Sequence, residues 1–289
     1  MEDVGITQRI HTTLLRGTRM RLTNKLTLSE LVVNAVLNQA YSPGSSDITV
    51  TTLIQPPLIR NLRKKHDSEI EEDAADRIWA LIGSATHGIL ENAFKGTSAR
   101  VEERVYAEVL GWKLGGQFDV LEGSTLSDYK ITSVYSAAGK IEWEQQLNVL
   151  RWLLHKNNTK VDKLQIIAIF RDWSKFGIKK NPDYPASQVS VIDIPVWTLE
   201  EAEAFVKERV ALHQLPEPPM CNDEERWATL EQWALMKKGG KRAIKLYPSQ
   251  EGVILNPDQY WEHRPASYKR CEEYCSVSKF CPLWNNTLF

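Results

Sequence analysis

The sequence has no apolar run approaching the roughly 18 residues of a membrane span, which excludes an embedded membrane helix. It also lacks an excess of either charge, because 36 basic side chains are matched by 37 acidic ones, giving a net charge of −1. Any affinity for nucleic acid must therefore come from a local basic surface. No internal repeat or low-complexity tract is present. The 42% hydrophobic and 25% charged residues are typical of a soluble globular protein.

A secretory signal is missing as well, since the residues that follow Met1 form neither a basic nor an apolar region. We therefore expect a cytoplasmic protein, in which thiols and metal–thiolate sites are stable and structural disulfides are rare. The length of 289 residues allows one large domain or two smaller ones.

Hydrophobic periodicity predicts the order helix, three strands, helix and strand, which is typical of an α/β fold. Thr27 and Glu30 predict a capping box before a short helix, and Thr198 predicts the N-cap of a later one. We expect a helical N-terminal segment at 1–72, a core at 73–214, and a C-terminal region at 215–289 that is helical, basic and cysteine-rich and packs on the core. The predicted helices cover 73–94, 141–155, 198–213 and a region near 223–237, and the predicted strands cover 101–110, 112–121, 126–132, 163–170 and 189–194.

Three charged residues fall on two neighbouring predicted strands. Asp128 and Lys130 are two positions apart, so their side chains share one face of a strand. If the chain makes a hairpin-like turn between the two strands, Asp119 lies beside Asp128 and Lys130. Two carboxylates near one ammonium group can hold a hard divalent cation next to an attacking water, as phosphodiester hydrolysis requires. An isolated Asp-x-Lys would instead be an ordinary surface ion pair. The accompanying motifs decide between this interpretation and a metal site.

Four motifs in this order resemble those of the PD-(D/E)XK nuclease superfamily, within it the RecB-like exonucleases of phages and of CRISPR adaptation. The resemblance covers residues 48–170 and implies a restriction-endonuclease-like core, with a central mixed sheet flanked by helices. The motifs are Gly83-Ser-Ala-Thr-His87-Gly-Ile-Leu-Glu91, Phe118-Asp119, Asp128-Tyr129-Lys130 and Glu144-Gln-Gln146.

The resemblance also implies the role of each motif residue. Lys130 would orient or help to deprotonate the hydrolytic water, and Gln146, rather than Gln145, would place the lysine or a phosphate. His87, whose alternative is a hydrogen-bonded core histidine, would favour Mn²⁺ somewhat over Mg²⁺. Glu91 and Glu108 are candidates for supporting contacts. The implied ligands of Mg²⁺ or Mn²⁺ are His87, Asp119, Asp128 and the backbone carbonyl of Tyr129.

A second group of residues is the cysteine-rich tail. Three of its cysteines lie within eleven residues and the fourth lies upstream, a density that indicates a metal–thiolate site. The spacing resembles the cysteine group of RecB-like nucleases that carry a 4Fe–4S cluster, and zinc or no metal are the alternatives. A metal held by four thiolates would be structural. The four residues are Cys221, Cys271, Cys275 and Cys281.

The basic stretch after residue 236 is a candidate for DNA contact, with a solvated loop as its alternative. The expected function is that of a metal-dependent deoxyribonuclease, most simply an exonuclease acting on DNA ends or single strands. A non-catalytic nucleic-acid-binding subunit with a structural metal is the alternative. Subunits of a recombination or adaptation complex are candidate partners, in the host cytoplasm if the protein is phage-encoded. The basic residues are Lys237, Lys238, Lys241 and Arg242.

Overall fold

A computed structural model describes residues 11–12, 21–38 and 44–287 of the protein. The chain divides into two units, Met1–Pro218 and Pro219–Phe289. None of the described helices has the length and apolar character that crossing a bilayer requires.

The first unit contains eleven strands and seven α-helices among its described residues. The strands are β1 (His11–Thr12), β2 (Arg21–Thr23), β3 (Ile48–Thr49), β4 (Glu71–Asp73), β5 (Arg100–Val101), β6 (Arg104–Val109), β7 (Trp112–Gln117), β8 (Val120–Glu122), β9 (Thr125–Thr132), β10 (Lys163–Phe170) and β11 (Val189–Ile194). The helices are α1 (Glu30–Leu37), α2 (Val50–Leu53), α3 (Pro57–Lys65), α4 (Ile78–Ala93), α5 (Ile141–Lys156), α6 (Lys175–Lys180) and α7 (Leu199–Gln214).

A five-stranded mixed sheet forms the centre of this unit, in the order β11-β10-β9-β8-β5. The strands β9 and β10 are parallel, with Asp128 opposite Ile166, and the remaining pairs are antiparallel. A parallel pair needs a crossover, which α5 supplies between them. Alternate residues of β10 are buried, and leucines of α5 pack in the same core. The expected α/β class with a mixed sheet and flanking helices is confirmed at this level.

A second, three-stranded sheet has the order β3-β7-β6. The predicted strand at 112–121 is divided, because β7 ends at Gln117 and the chain resumes as β8 at Val120. Between them Phe118 is fully buried, and its backbone N–H donates to the carbonyl oxygen of Glu103. This break moves the chain from one sheet to the other and leaves Asp119 at the junction.

The N-terminal segment contains strands as well as the expected helices. The strands β1, β2 and β4 form a small sheet, and Leu22, Val33, Val36 and Ala74 form a separate buried cluster. The predicted capping box at Thr27 is wrong, because Thr27 has a left-handed φ of 52° and Ser29 occupies the N-cap of α1 without a side-chain hydrogen bond.

In the second unit, the helix predicted near 223–237 is wrong, because most of that segment forms strands. Only α8 (Asp223–Arg226) is helical there, because Trp227 adopts a left-handed conformation that ends it. The strands that follow are β12 (Ala228–Thr229), β13 (Gln232–Lys237), β14 (Ala243–Tyr247), β15 (Gln259–Arg264) and β16 (Ser267–Tyr268), and the last helix is α9 (Pro282–Thr287). The three-stranded antiparallel sheet β14-β13-β15 is the main element of this unit.

Candidate metal centre

Strand pairing brings the predicted acidic residues together. The antiparallel pair β8–β9 places Val120 opposite Ser127, so Asp119 lies beside Asp128 at the start of that ladder. Asp128 and Lys130 point to the same face of β9, as alternate residues of a strand must. Helix α4 lies over this face and contacts β9, and it carries His87.

Three side chains meet beside α4, where it carries His87. The Nδ1 atom of His87 is 3.3 Å from Oε1 of Glu102 and 3.5 Å from Oδ2 of Asp119. Among the described residues, these three form the one group of histidine, cysteine, aspartate and glutamate ligand atoms that all lie within 4.8 Å of one another. The same Asp119 oxygen accepts a 2.8 Å hydrogen bond from the backbone N–H of Tyr129. One imidazole and two carboxylates thus converge on a single point.

Glu102 is held in place by a relay of hydrogen bonds. Its Oε2 accepts from Nε2 of Gln117 at 2.7 Å, and Oε1 of Gln117 accepts from Arg104 at the same distance. The backbone N–H of Glu102 donates to the carbonyl oxygen of Asp119. Glu102 has a left-handed φ of 51°, an uncommon conformation for a residue with a side chain. That turn between β5 and β6 directs its carboxylate toward His87.

A second group is centred on Asp128, which is 2% exposed. Its Oδ1 accepts a 3.0 Å hydrogen bond from Nε2 of Gln146 on α5. Its Oδ2 is 2.6 Å from Nζ of Lys130, an ion pair that holds the two side chains together at the edge of the cavity.

Both groups border one cavity of about 540 Å³. Its other walls are the start of α2 and residues of β6 and β7. The lining includes His87, Glu91, Glu102, Asp119, Asp128, Lys130 and Gln146.

The carboxylates of this cavity repel one another. Burial, and then the charge of Asp128, raise the pKa of Asp119 to about 7, against the opposing effect of His87 and Lys130. The hydrogen bond to Glu102 raises the pKa of His87, assisted by the charges of Asp119, Glu102 and Asp128 and opposed by burial. Burial lowers the pKa of Lys130, but the charges of Asp128 and Asp119 outweigh it and keep this pKa above its usual value.

These residues fit a divalent cation. Four carboxylates line the cavity against one lysine and one arginine, so a dication would neutralise the excess negative charge and relieve the repulsion. Oxygen ligands suit Mg²⁺, while the imidazole of His87 is better suited to Mn²⁺. The Asp128 carboxylate, held between Gln146 and Lys130, adds a further oxygen donor to the cavity lining.

Of the eight residues predicted for the metal centre, six border the cavity, namely His87, Glu91, Asp119, Asp128, Lys130 and Gln146. Glu108 lies on β6 opposite Lys113 and is not part of the cavity lining. Tyr129 meets Asp119 through its N–H, and a ligand role for its carbonyl stays a prediction. Glu102 is not among the residues predicted from the sequence, because its position is set by a backbone turn inside what reads as one continuous strand at 101–110.

The four cysteines are all present as thiols in the second unit. Burial, followed by the charges of Glu225 and of the other three cysteines, raises the pKa of Cys221 to about 12. The four therefore lie close enough to influence one another. Within the described residues, however, no three of their sulfur atoms lie within 4.8 Å of one another.

The predicted DNA-contact residues form a hairpin between β13 and β14. Lys237 is 3.5 Å from Asp258, and Lys238 donates to the carbonyl oxygen of Pro257. Lys241 and Arg242 lie exposed at the turn. Contact with DNA stays a prediction for all four.

Comparison with known proteins gives no family. No protein-family model matches the sequence, and no characterised protein matches it. Among solved structures, SSO0001 is similar over 63% of this chain and 82% of its own, with 16% identity and a TM-score of 0.43. A protein from Eubacterium rectale, provisionally named an exonuclease, is similar over 48% and 50%, with 16% identity and a TM-score of 0.30. Both TM-scores are too low to support an argument about function.

Proposed function

We propose that this protein is a Mg²⁺- or Mn²⁺-dependent DNA nuclease with a PD-(D/E)XK core, acting on DNA ends or single strands. The observation that carries the proposal is the convergence of His87, Glu102, Asp119, Asp128 and Lys130 on one cavity. Asp128 and Lys130 share a face of the central sheet, and α5 directs Gln146 onto Asp128. The sequence motifs imply the same relations between Asp128, Lys130 and Gln146.

In this proposal each side chain has a separate task. Asp119, Glu102, Asp128 and His87 hold the ion, which when bound polarises the scissile phosphate and lowers the pKa of a water molecule. Lys130, fixed by its 2.6 Å contact with Asp128, orients the attacking water and faces a phosphate oxygen. Gln146 fixes the other Asp128 oxygen and so keeps Oδ2 turned into the cavity.

The reaction is an in-line hydrolysis. The water oxygen forms a new bond to phosphorus and gives up a proton to solvent, while the bridging phosphorus–oxygen bond breaks. The leaving oxygen departs with the electron pair of that bond and takes up a proton. The products are a phosphomonoester and a free hydroxyl group.

We propose Glu102 as an additional ligand in this centre. Its carboxylate is as close to His87 as that of Asp119 is, and the relay through Gln117 and Arg104 holds it there. Hydrogen-bonded supports of this kind preorganise ligands for a metal.

For the four cysteines we propose a structural 4Fe–4S cluster rather than zinc. Tetrahedral zinc with bonds of about 2.3 Å would hold its sulfur ligands about 3.8 Å apart. Among the described residues, no three of the cysteine sulfur atoms lie within 4.8 Å of one another. What supports the cluster is the spacing of the cysteines in the sequence, which resembles that of nucleases carrying a 4Fe–4S cluster.

The test is digestion of end-labelled linear, circular and single-stranded DNA in the presence of Mg²⁺, Mn²⁺ or EDTA. The proposal predicts cleavage of linear or single-stranded DNA that requires the ion and leaves closed circular duplex intact. Binding of DNA without cleavage under every condition would instead favour a non-catalytic nucleic-acid-binding subunit.

A further inference from the structure

Among the described residues, one lysine and one arginine line the cavity, and they come from different sheets. Lys130 lies on β9 of the central sheet, where its Nζ is 2.6 Å from Asp128. Arg104 is the first residue of β6, in the three-stranded sheet. The proposed reaction uses Lys130 at the attacking water, whereas Arg104 has so far only a supporting contact with Gln117.

The side-chain amide of Gln117 lies between Arg104 and Glu102. Its oxygen accepts a hydrogen bond from Nη2 of Arg104, and its nitrogen donates one to Oε2 of Glu102, both at 2.7 Å. An amide can bond to a cation and to an anion at once without neutralising either, whereas a direct ion pair would cancel the two charges. Glu102 thereby keeps its charge for a metal ion, and Arg104 keeps its charge for an anion.

The side chain of Arg104 is also held along its stem. It is half-buried, and its Cδ lies so close to Gly44 that a Cβ atom added there would be 3.0 Å from it. Gly44 has a left-handed φ of 64°, a conformation that glycine adopts without strain. With the stem against Gly44 and Nη2 on Gln117, the guanidinium has a defined position at the cavity. A preorganised guanidinium loses little freedom when it binds a ligand.

A guanidinium in this place suits a phosphate group of the substrate. Its planar fork of N–H donors matches two oxygens of one phosphate. In the proposed mechanism the ion and Lys130 act on the scissile phosphate. Arg104 is separated from the Glu102 oxygen that faces His87 by the amide of Gln117 and by the width of the carboxylate. It is therefore placed for a phosphate beside the scissile one.

We propose that Arg104 is a substrate-binding residue that holds the phosphate next to the scissile one, and that Gln117 keeps it in line with Glu102. This role rests on the proposed nuclease function and adds a second phosphate site to it. A contact with the sugar–phosphate backbone carries no sequence information, so Arg104 should act alike on every base sequence.

The test compares Arg104→Gln, which removes the charge, with Arg104→Lys, which keeps the charge but loses the planar fork. Arg21→Gln is the matched control, because Arg21 pairs with Glu71, has a side chain that is 41% exposed, and does not line the cavity. Circular dichroism checks the fold of each variant. Fluorescence anisotropy in EDTA, where no metal-dependent cleavage occurs, measures binding of a labelled single-stranded oligonucleotide at several salt concentrations.

Arg104→Gln should weaken binding of the oligonucleotide by about 10- to 100-fold, the range expected for hydrogen bonds to a charged group. The slope of log K against log salt should become shallower by about 0.7, which corresponds to one lost phosphate contact on a single strand. Arg104→Lys should retain the slope of the parent and bind with an affinity between those of the parent and Arg104→Gln. Arg21→Gln should match the parent in both quantities.

A substrate with a single phosphate tests the position of this contact. Bis(p-nitrophenyl) phosphate has no neighbouring phosphate, so at saturating Mn²⁺ Arg104→Gln should hydrolyse it within about twofold of the parent rate. The value of kcat/KM for DNA should fall by about 10- to 100-fold, as the binding does. An equal loss on the small ester and on DNA would place Arg104 at the scissile phosphate and reject the second site.

Other results would overturn the inference outright. If Arg104→Gln binds the oligonucleotide with the affinity and salt slope of the parent, Arg104 holds no phosphate, although the nuclease proposal stands. A fall in Mn²⁺ affinity by calorimetry, with an unchanged salt slope, would make Arg104 only a support of Glu102. The inference also fails if the parent binds no DNA. Failure of the parent to cleave any DNA would count separately against the proposed function, because binding in EDTA does not depend on cleavage.

Discussion

At the scale of single residues, the metal centre depends on how each carboxylate is held. Asp119 is fixed by the N–H of Tyr129, Asp128 by Gln146 and Lys130, and Glu102 by Gln117. Each support is a hydrogen bond or ion pair to a neighbouring strand or helix. The groups are therefore preorganised for an ion.

Replacement of Glu102 by glutamine tests its role as a ligand. Glu102→Gln should lower the affinity for Mn²⁺ by about 10- to 100-fold, because it removes one negative oxygen donor and weakens the contact with His87. Glu103→Gln is the control, since Glu103 is exposed and paired with Arg100. Isothermal titration with Mn²⁺ makes the measurement. An affinity equal to that of the parent would remove Glu102 from the ligand set.

Local sequence patterns predict several of these residues because their positions follow from regular structure. Asp128 and Lys130 share a face by the geometry of any strand. Glu102 follows instead from a left-handed backbone turn between β5 and β6, which no residue type in Val101-Glu-Glu-Arg104 indicates. Its partners, Gln117 and His87, are 15 residues away in each direction.

At the scale of elements, α7 is fastened to the chain around α2 by buried polar contacts. Nε2 of His213 is 3.1 Å from the carbonyl oxygen of Leu53, and the guanidinium of Arg209 donates to the same carbonyl. The other ring nitrogen of His213, Nδ1, is buried and has no hydrogen-bond partner. Burial, opposed by the hydrogen bond to Leu53 and assisted by the charges of Arg209 and Arg60, lowers the pKa of His213 to about 4.

This arrangement predicts a loss of stability in mild acid. The unfolded chain takes up a proton on this histidine below the ordinary histidine pKa of 6.5, whereas the folded protein resists until about pH 4. His213 should therefore lower the free energy of unfolding as pH falls from 6.5 to 4, by up to roughly 3 kcal/mol. Urea unfolding at several pH values measures this change.

His213→Gln should flatten that pH dependence, because glutamine can still donate to Leu53 but does not titrate. His155→Gln, a change at an exposed histidine of α5, should retain it. Identical slopes for the parent and His213→Gln between pH 6.5 and 4 would reject the assignment.

Elements with strong periodicity are predicted closely. The strands at 163–170 and 189–194 match β10 and β11, and the helix at 141–155 differs from α5 by one residue. Thr198 is confirmed as the N-cap of α7, with a complete capping box through Glu201. The ends of helices and strands that are predicted wrongly are those that tertiary structure determines. The helix predicted from residue 73 begins only at Ile78, after a short strand that pairs with β2.

At the scale of the whole molecule, the chain consists of a metal-site unit and a cysteine-containing unit. The second contains few fully buried apolar residues, among them Ala234, Leu235, Met236 and Val277. A metal held by the four thiolates, as proposed, would stabilise a fold with so small an apolar core, since binding free energy contributes to folding.

The cysteine proposal predicts a brown protein with absorbance near 400 nm and about four iron and four sulfide per chain when purified without oxygen. Cys275→Ser should lose this colour and lower the unfolding temperature, while Glu273→Gln, a change at an exposed residue nearby, should retain both. A colourless protein with one zinc per chain would contradict the cluster and favour the zinc alternative.

The central claim is that one divalent ion, held by the cavity residues, drives cleavage of DNA. The most direct measurement is Mn²⁺-dependent digestion of end-labelled single-stranded DNA by the parent, by Asp128→Ala and by Lys130→Ala. All three should have matched circular dichroism, and the parent should cleave. Both variants should lose at least about a thousandfold in rate, the scale on which groups that stabilise a transition state act. Cleavage by a folded Lys130→Ala protein at the rate of the parent would contradict the account.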